Sequence, residues 1–441
     1  MSTRTRTGSA PAGPDLSGRD LALDLVRVAC VVTVVVVHLL MVAVAIEPDG
    51  AIGISRALEQ QPWFDTGTWF GQIMPLFFIV GGFATITGWR STVRRGGGTS
   101  DFLRSRVFRL ALPTIPVLLF LAVGLWLAGA LGVDPAIIEA VAAGVGSPLW
   151  FLAAYLLCQA VAPFLATWHD RHPVLTCAAL LAGVILVDVV RYSTGLLGIG
   201  LVNLVFVWPL LQQFGFFLAD GRLRTVPRLV LVAVVLVSYG ALVPITTWLP
   251  YSTSMLGNLN PPTLPLVVLG VGQLALLALV HPLLTAIMRT RAARAVVFLI
   301  GSRLMTVYLW HLPLIIAVAG LQLALGIPFA EPLSAAWWWT RPVVLLVVAV
   351  LLAGVGTLLG RVEHPRKLRL DPERKPTHVA VWIALASAFI MPFAEISHPL
   401  TAAMAAAGAV GSIIAVVLLN PTRRPVERVA SGSDQAVDQR P

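Results

Sequence analysis

The first long apolar segment of the chain, Leu21 to Ile46, contains the ionisable residues Asp24, Arg27 and His38. About 20 apolar residues suffice to cross the hydrocarbon core of a bilayer. An ionisable side chain within such a span is costly unless it faces protein or water, so each of these residues is a candidate functional group. Histidine titrates near neutral pH, and arginine offers a planar set of donors to an anion.

The spacing of these residues sharpens the hypothesis. Arg27 and His38 are eleven residues apart, which returns them to nearly the same face of a helix, about 16 Å apart along its axis. One helix face then presents a cation near one membrane surface and an imidazole deep in the span. The alternative is that Arg27 pairs with Asp24 at the membrane surface and that His38 only packs in the core.

A second segment, near 296–320, combines Arg303 near one end with Tyr308 and His311 deeper inside. Eight residues separate Arg303 from His311, so the two lie about 80° apart around a helix. Pro313 predicts a kink there that frees backbone carbonyl groups.

The composition indicates which elements position these residues. Hydrophobic residues make up 57% of the 441 residues and charged residues only 12%, which excludes a soluble globular domain and indicates a polytopic helical membrane protein. The apolar runs are continuous, unlike the alternating pattern of a β-barrel. The formal net charge of +10 is dispersed between apolar spans, so membrane topology explains it better than nucleic-acid binding. The three cysteines lie in apolar segments without metal-ligand spacing, so we expect neither disulfides nor a metal site.

Apolar windows predict an all-α polytopic transmembrane helical bundle, with about ten core spans and an extra C-terminal hairpin. The predicted spans lie near 21–46, 68–88, 108–131, 148–167, 173–191, 198–219, 229–249, 263–285, 296–320, 341–360, 378–394 and 400–419.

The Lys and Arg residues predict the orientation of this bundle. With a cytoplasmic N-terminus, 28 of the 31 fall on the inside, and only Arg56, Arg191 and Arg341 fall outside. This asymmetry predicts an even number of spans, with both termini on the cytoplasmic side of the plasma (inner) membrane. The predicted organisation is a disordered N-terminus (1–18), a membrane domain (19–361), a basic cytoplasmic linker (362–377), the hairpin (378–420) and a disordered tail (421–441).

The most basic segment, from Arg90 to Arg109, is predicted to be a cytoplasmic loop that includes Arg104 and Arg106. Such a loop can simply enforce topology. The alternative is a phosphate site, because guanidinium groups present fork-like donors to phosphate oxygens.

Five ordered elements resemble the acyltransferase-3 family of membrane acyltransferases. They are RDLALDLVRVACVVTVVVVH with its Arg-x10-His pattern, PLFFIVGGF, FLRSRVFRLALP, SPLWFLAAYLL and TVYLWHLPL. The resemblance covers Arg19 to about Arg361. Gly81 stands where the family usually has Ser, and the hairpin from Val379 to Leu419 lies beyond the family's usual ten spans.

The resemblance implies transfer of an acyl group, often acetyl, from cytoplasmic acyl-CoA to a hydroxyl of a cell-surface glycan, a lipid-linked sugar or a related acceptor. Acyl transfer to a hydroxyl needs a base poised near neutral pH and a cationic site for the CoA phosphates. The resulting assignments are a base or transient acyl carrier (His38), a group that stabilises an anion (Arg27), CoA-binding residues (Arg104, Arg106, Arg109) and further substrate contacts (His311, Tyr308, Trp150).

The expected partners are the lipid bilayer, the acyl-CoA donor and the glycan or lipid-linked acceptor, with no nucleic acid and no bound cofactor; a homo-oligomer is compatible with the sequence. A secondary transporter remains an alternative, although the spans are poor in Asp and Glu and show no inverted repeat. A non-catalytic scaffold or regulator is a further alternative, which function retained after His38→Ala would favour.

Overall fold

A computed structural model describes residues 20–46, 52–146, 149–363, 378–390 and 401–419. Its α-helices are α1 (Leu21–Met41), α2 (Phe64–Gly71), α3 (Met74–Arg94), α4 (Thr99–Ala111), α5 (Thr114–Ala130), α6 (Pro135–Gly146), α7 (Leu149–Arg171), α8 (Pro173–Thr194), α9 (Val207–Ala219), α10 (Arg228–Trp248), α11 (Leu264–Ile287), α12 (Arg291–Gly301), α13 (Leu304–Ala324), α14 (Ala335–Glu363), α15 (His378–Phe389) and α16 (Thr401–Leu419). Two strands, β1 (Val42–Ile46) and β2 (Ile52–Arg56), form its one described sheet.

The described part of the chain is an all-α polytopic bundle, as predicted. Eleven of its helical segments are long and apolar enough to cross a membrane. The predicted span near 378–394 is described as the shorter apolar helix α15. Only 17% of the most apolar window is buried in each of α10 and α14, so these helices present apolar side chains outward, as lipid-facing helices do.

The segment after α1 differs from the prediction. The helix ends at Met41, and the predicted end of the span becomes β1, which pairs antiparallel with β2 in the register Val42↔Arg56. β-Branched residues alternate along β1, a pattern that favours a strand over a further helical turn. The hairpin returns the chain toward the end of α1, so residues of the predicted outside loop lie next to His38.

The basic segment is also more ordered than a loop. Helix α3 continues to Arg94 and α4 begins at Thr99, so only a short turn separates them. Gly96 in this turn has φ +78°, a conformation that glycine adopts without steric cost. The Asp101 carboxylate accepts a hydrogen bond from the Gly98 N–H at 3.0 Å and thereby caps α4. Arg104, Arg106 and Arg109 therefore lie on a helix, which fixes their directions.

Small residues allow α3 and α9 to pack closely. A Cβ atom at Gly82 would lie 2.2 Å from the Gln212 carbonyl oxygen, and one at Gly215 would lie 2.0 Å from the Ile79 carbonyl oxygen. Any larger residue would push the two helices apart, so glycine is required at both positions. Gly82 and Gly215 are therefore helix-packing residues.

The C-terminal helices belong to the main core. Helix α16 packs along α5, and α15 packs against α7. A Cβ atom at Gly408 would lie 3.3 Å from Leu118 Cδ1, which shows how closely α16 approaches α5. The hairpin therefore covers α4, α5 and α7 instead of standing apart from the bundle.

Candidate active site

Two histidines from distant parts of the chain meet inside the bundle. His38 lies in the last turn of α1, and His311 lies in α13, which packs against α1. Nε2 of His311 is 3.0 Å from Nδ1 of His38, and the ring centroids are 5.0 Å apart. The His311 side chain is fully buried, whereas His38 is half-buried. The structure thus joins two residues that the sequence singled out separately.

The surrounding hydrogen bonds assign the tautomers of the neutral rings. Nδ1 of His311 lies 2.5 Å from the carbonyl oxygen of Tyr308, which only accepts, so this nitrogen donates. Nε2 of His311 is therefore an acceptor, and Nδ1 of His38 donates to it. The lone pair of His38 then resides on Nε2, where it is available to a ligand.

A cavity of about 670 Å³, called here the His38 cavity, adjoins this imidazole. Its walls come from α1, both strands, α2, α6, α13 and the loop 249–263. Tyr308 and Trp150, both predicted to contact substrate, line it together with His38. His311 lies behind His38, where it orients the ring. The volume is within the range of small-molecule binding sites in proteins.

Aromatic rings form the wall on the α7 and α13 side. The Tyr308 ring lies 5.0 Å from the Phe151 ring and 5.8 Å from the His311 ring. The Trp150 ring lies 5.5 Å from the ring of the fully buried Trp208. These contacts hold both lining side chains in fixed positions, as a binding surface requires.

Hydrogen bonds tie the loop 249–263 over the cavity. The indole N–H of Trp69 donates to the Thr253 carbonyl at 2.7 Å, and the Met255 N–H donates to the Thr68 hydroxyl oxygen at 2.8 Å. Thr68 and Trp69 belong to α2, so helix and loop form one wall. Asn260 in the loop also lines the cavity.

A buried carboxylate anchors both ends of this loop. Asp188, near the end of α8, is 1% exposed and accepts hydrogen bonds from the Tyr251 hydroxyl at 3.0 Å, the Leu264 N–H at 3.0 Å and the Asn203 amide at 2.8 Å. Burial raises the pKa of the Tyr251 hydroxyl, as does the neighbouring Asp188 charge. The Arg191 guanidinium, three residues later, lies over the Tyr192 ring at 5.0 Å and within electrostatic range of Asp188.

Arg27 lies near the opposite end of α1 and does not line the His38 cavity. Its Nη1 is 3.9 Å from the Asp24 carboxylate, a distance that permits an ion pair but is too long for a hydrogen bond. The buried Nε of Arg27 has no hydrogen-bond partner in the described part of the chain. The cation and the imidazole on α1 are therefore separated along the helix.

The arginines of α4 point in different directions. Residues two apart are about 200° apart around a helix, so Arg104 and Arg106 leave opposite faces. Nη2 of Arg106 donates to the Ala84 carbonyl at 2.9 Å, and the guanidinium lies within electrostatic range of Arg27. Arg104 is 3% exposed, and Arg109 is exposed. Of these three, Arg106 is the one that extends toward α3 and Arg27.

Glycines on α3 make room for the polar side chains at this end. A Cβ atom at Gly88 would lie 1.9 Å from Arg106 Nη2, so glycine lets the guanidinium cross α3. A Cβ atom at Gly81 would lie 2.9 Å from a ring carbon of Tyr155. The Tyr155 phenol is itself within electrostatic range of Arg106. The Tyr155 phenol thus lies next to Gly81, the position at which the acyltransferase-3 family usually has Ser.

One lining residue was missed by the sequence reasoning. Arg56 is at the end of β2 and lines the His38 cavity. In the sequence, the feature that set Arg56 apart was that it is one of only three Lys or Arg residues on the predicted outside of the membrane. This feature alone could not place Arg56 near His38, because the contact depends on the β-hairpin that brings the predicted outside loop back to α1.

A family model described as an acyltransferase domain matches residues 20–360 of the chain. The match runs from the residue before α1 to near the end of α14 and contains every residue of the His38 cavity. Helices α15 and α16 lie beyond it. No curated protein and no solved structure gives a significant match.

Proposed function

The chain belongs to the acyltransferase-3 family, and from this premise we propose that it transfers an acyl group from acyl-CoA to a hydroxyl of a glycan or lipid-linked sugar. It is a multi-pass membrane acyltransferase. Our proposal concerns the identity of the donor, the formation of an O-acyl product and the class of acceptor. We further propose that acyl-CoA binds on the cytoplasmic side, at the Arg27 end of the bundle, and that the acceptor enters the His38 cavity from the opposite side.

The observation that carries this proposal is the contact between His38 and His311 at the wall of the His38 cavity. His311 accepts the hydrogen on Nδ1, so the lone pair of His38 is on the nitrogen that remains available to a ligand. A hydroxyl bound in the cavity can donate its proton to Nε2 as its oxygen attacks a thioester carbonyl. Positioned proton transfer of this kind typically contributes 10²–10⁴ in rate.

The reaction balances as follows. A bond forms between the acceptor oxygen and the acyl carbonyl carbon, and the bond from that carbon to the CoA sulfur breaks. The hydroxyl proton passes to Nε2 of His38 and then to the CoA thiolate, which leaves as the thiol. In the variant with a transient acyl carrier, Nε2 itself attacks the thioester and the CoA thiolate leaves. The acceptor hydroxyl then attacks the acyl-imidazole, the bond from the acyl carbon to Nε2 breaks, and the hydroxyl proton passes to the thiolate. Both routes need the same lone pair.

Arg106 and Arg27 support the proposed donor side. They lie within electrostatic range of each other at the end of α1 remote from His38. Arginine is well suited to pair with phosphate, and CoA carries a pyrophosphate and a 3′-phosphate. Arg109, exposed one turn further along α4, extends the same basic surface. The pantetheine arm would then reach from this surface toward His38.

The test is a transfer assay in membranes that contain the native acceptor. Membranes with the wild-type chain and membranes with His38→Gln receive radiolabelled acetyl-CoA, and the label is measured in ester-linked saccharide and as released CoA. We expect label in the wild-type saccharide fraction that is alkali-labile, as an ester is. Equal labelling in the two membranes would contradict the proposed role of His38. Absence of both label and released CoA in wild-type membranes would contradict the proposed reaction.

A further inference from the structure

Arg56 gives the His38 cavity a cationic wall. It lines the cavity, and the described lining residues include no Asp, Glu or Lys. The guanidinium lies within electrostatic range of the His38 ring, which lines the same cavity. Among the described lining residues, a ligand therefore meets one permanent positive charge and no negative one.

Arg56 already forms an ion pair, but this pair competes only weakly with a ligand for the guanidinium. Nη1 of Arg56 is 3.1 Å from Oε1 of Glu59, three residues later, and both side chains are exposed. Solvent-exposed pairs of this kind contribute little to stability, because water and salt screen them. Glu59 does not line the cavity. A bound anion can therefore replace this carboxylate without disturbing the cavity.

Trp63 provides an aromatic surface in the same cavity. The side chain lines the cavity and is 56% exposed, which is unusual for so large a ring. A Cβ atom at Gly67 would lie 3.1 Å from Trp63 Cε3, so glycine lets the ring lie against α2. Flat, exposed aromatic rings bind the apolar faces of sugar rings, and the indole N–H adds a donor.

We propose that the acceptor is an acidic saccharide, whose phosphate or carboxylate binds Arg56 while a sugar ring lies against Trp63 and presents a hydroxyl to His38. The inference rests on the proposed function and adds the charge of the acceptor to it. Phosphate and carboxylate offer the same pair of oxygens to the guanidinium fork. An anion bound at Arg56 also offsets its positive charge while His38 takes up the hydroxyl proton.

The charge of the acylated product tests the proposal directly. Wild-type membranes and His38→Gln membranes are labelled with radioactive acetyl-CoA, and free CoA and its thioesters are then removed. The saccharide that is labelled in wild-type membranes but not in His38→Gln membranes is applied to an anion exchanger. We expect retention on the exchanger, and a neutral product that flows through would overturn the proposal. Mild acid followed by a phosphatase distinguishes the two sources, because acid cleaves phosphate from the anomeric carbon, the phosphatase removes other terminal phosphate esters, and sugar carboxylates stay charged through both.

Variants test whether Arg56 and Trp63 recognise that product. Arg56→Gln should lower labelling at limiting acceptor tenfold or more with an unchanged KM for acetyl-CoA, and Arg56→Lys should lose less because it keeps the charge. Trp63→Ala should also lose about tenfold, whereas Trp63→Phe should retain most activity. Arg341→Gln is the matched control, an arginine outside the cavity that lies over the Trp337 ring.

Unchanged labelling in Arg56→Gln would overturn the role of Arg56. A neutral product that still depends on His38 would refute the inference alone, and labelling independent of His38 would refute the mechanism in the proposed function.

Discussion

Two histidines with different roles define the chemistry at the scale of single residues. His311 offers its lone pair to His38, and His38 has the remaining lone pair. The sequence indicated each residue as an ionisable group deep in a span. It could not predict their contact, because 273 residues separate them and hydropathy contains no information on which spans pack together. The loss of either ring should therefore have a different consequence.

His38→Gln should lower acyl transfer by about 10²–10⁴, because the amide keeps a similar volume but cannot accept the hydroxyl proton. His311→Gln should lose less, since its amide oxygen can still accept the hydrogen from Nδ1 of His38. Rates are measured in membranes and normalised to the amount of protein. His281→Gln is the control, because that imidazole pairs with Asp20 and does not line the cavity. Near-normal turnover of the His38 variant, or a larger loss in the His311 variant, would contradict the assigned roles.

Replacing Arg106 and Arg109 with Gln should weaken acyl-CoA binding. Each charge-assisted hydrogen bond contributes about 1.5–3 kcal/mol, so the KM for acyl-CoA should rise about tenfold or more for each arginine that contacts phosphate. The Arg106 single variant should account for more of the loss, since its side chain extends toward Arg27. Arg289→Gln is an exposed control at the end of α11. An unchanged KM in the double variant would leave these arginines a purely topological role.

At the scale of elements, the apolar spans could be predicted and the shorter elements between them could not. Continuous apolar runs identify membrane helices because backbone polar groups must be satisfied within the span. The arginines of α4 made that segment resemble a loop, although its buried Phe102, Val107 and Phe108 pack in the core. The strands β1 and β2 depend on each other for their hydrogen bonds, so neither could be inferred from its own residues alone. The His38 cavity is built largely from these shorter elements.

An ionic cluster joins three helices at the Arg27 end of the bundle. Arg90 of α3 pairs with Asp170 of α7 and with Asp220 after α9, while the buried His169 hydrogen-bonds both Asp220 and Gln213. Partial burial alone would raise the pKa of Asp220, but the hydrogen bonds from Arg90 and His169 hold it below its ordinary value. Asp220 therefore stabilises the fold most when it is ionised.

The pH dependence of this stabilisation can be measured with Asp220→Asn. Because the folded-state pKa is lowered, the contribution is complete above the unfolded value near 4 and is lost as the pH falls through the folded value. The variant should have a Tm roughly 1–2 °C below wild type at pH 7, and the difference should shrink below about pH 4. Thermal unfolding in detergent across this pH range measures the effect. A deficit in Tm that is independent of pH would contradict the assignment to the ionised carboxylate.

At the scale of the whole molecule, the sequence predicts the class and its resemblance predicts the family, but neither explains α15 and α16. The family match ends at residue 360. The structure packs Ala384 and Leu385 of α15 and Ala409 of α16 into the same core as α5 and α7. Small residues such as Gly408 and Gly411 permit this contact, and their spacing alone did not reveal the partner helices. The hairpin should therefore stabilise the helix α4 that bears Arg106.

The orientation of the molecule is the remaining global prediction. The distribution of 28 of 31 basic residues on one side predicts that both termini are cytoplasmic. A reporter that is active only outside the cytoplasm should then give no signal when fused to the C-terminus or after Glu363. The same reporter inserted between α15 and α16 should give a signal, because the hairpin must cross the membrane twice to return the C-terminus inside. Signal at the C-terminus would contradict the even number of spans. Silence at all three positions would show that α15 and α16 pack on α5 and α7 without crossing the membrane.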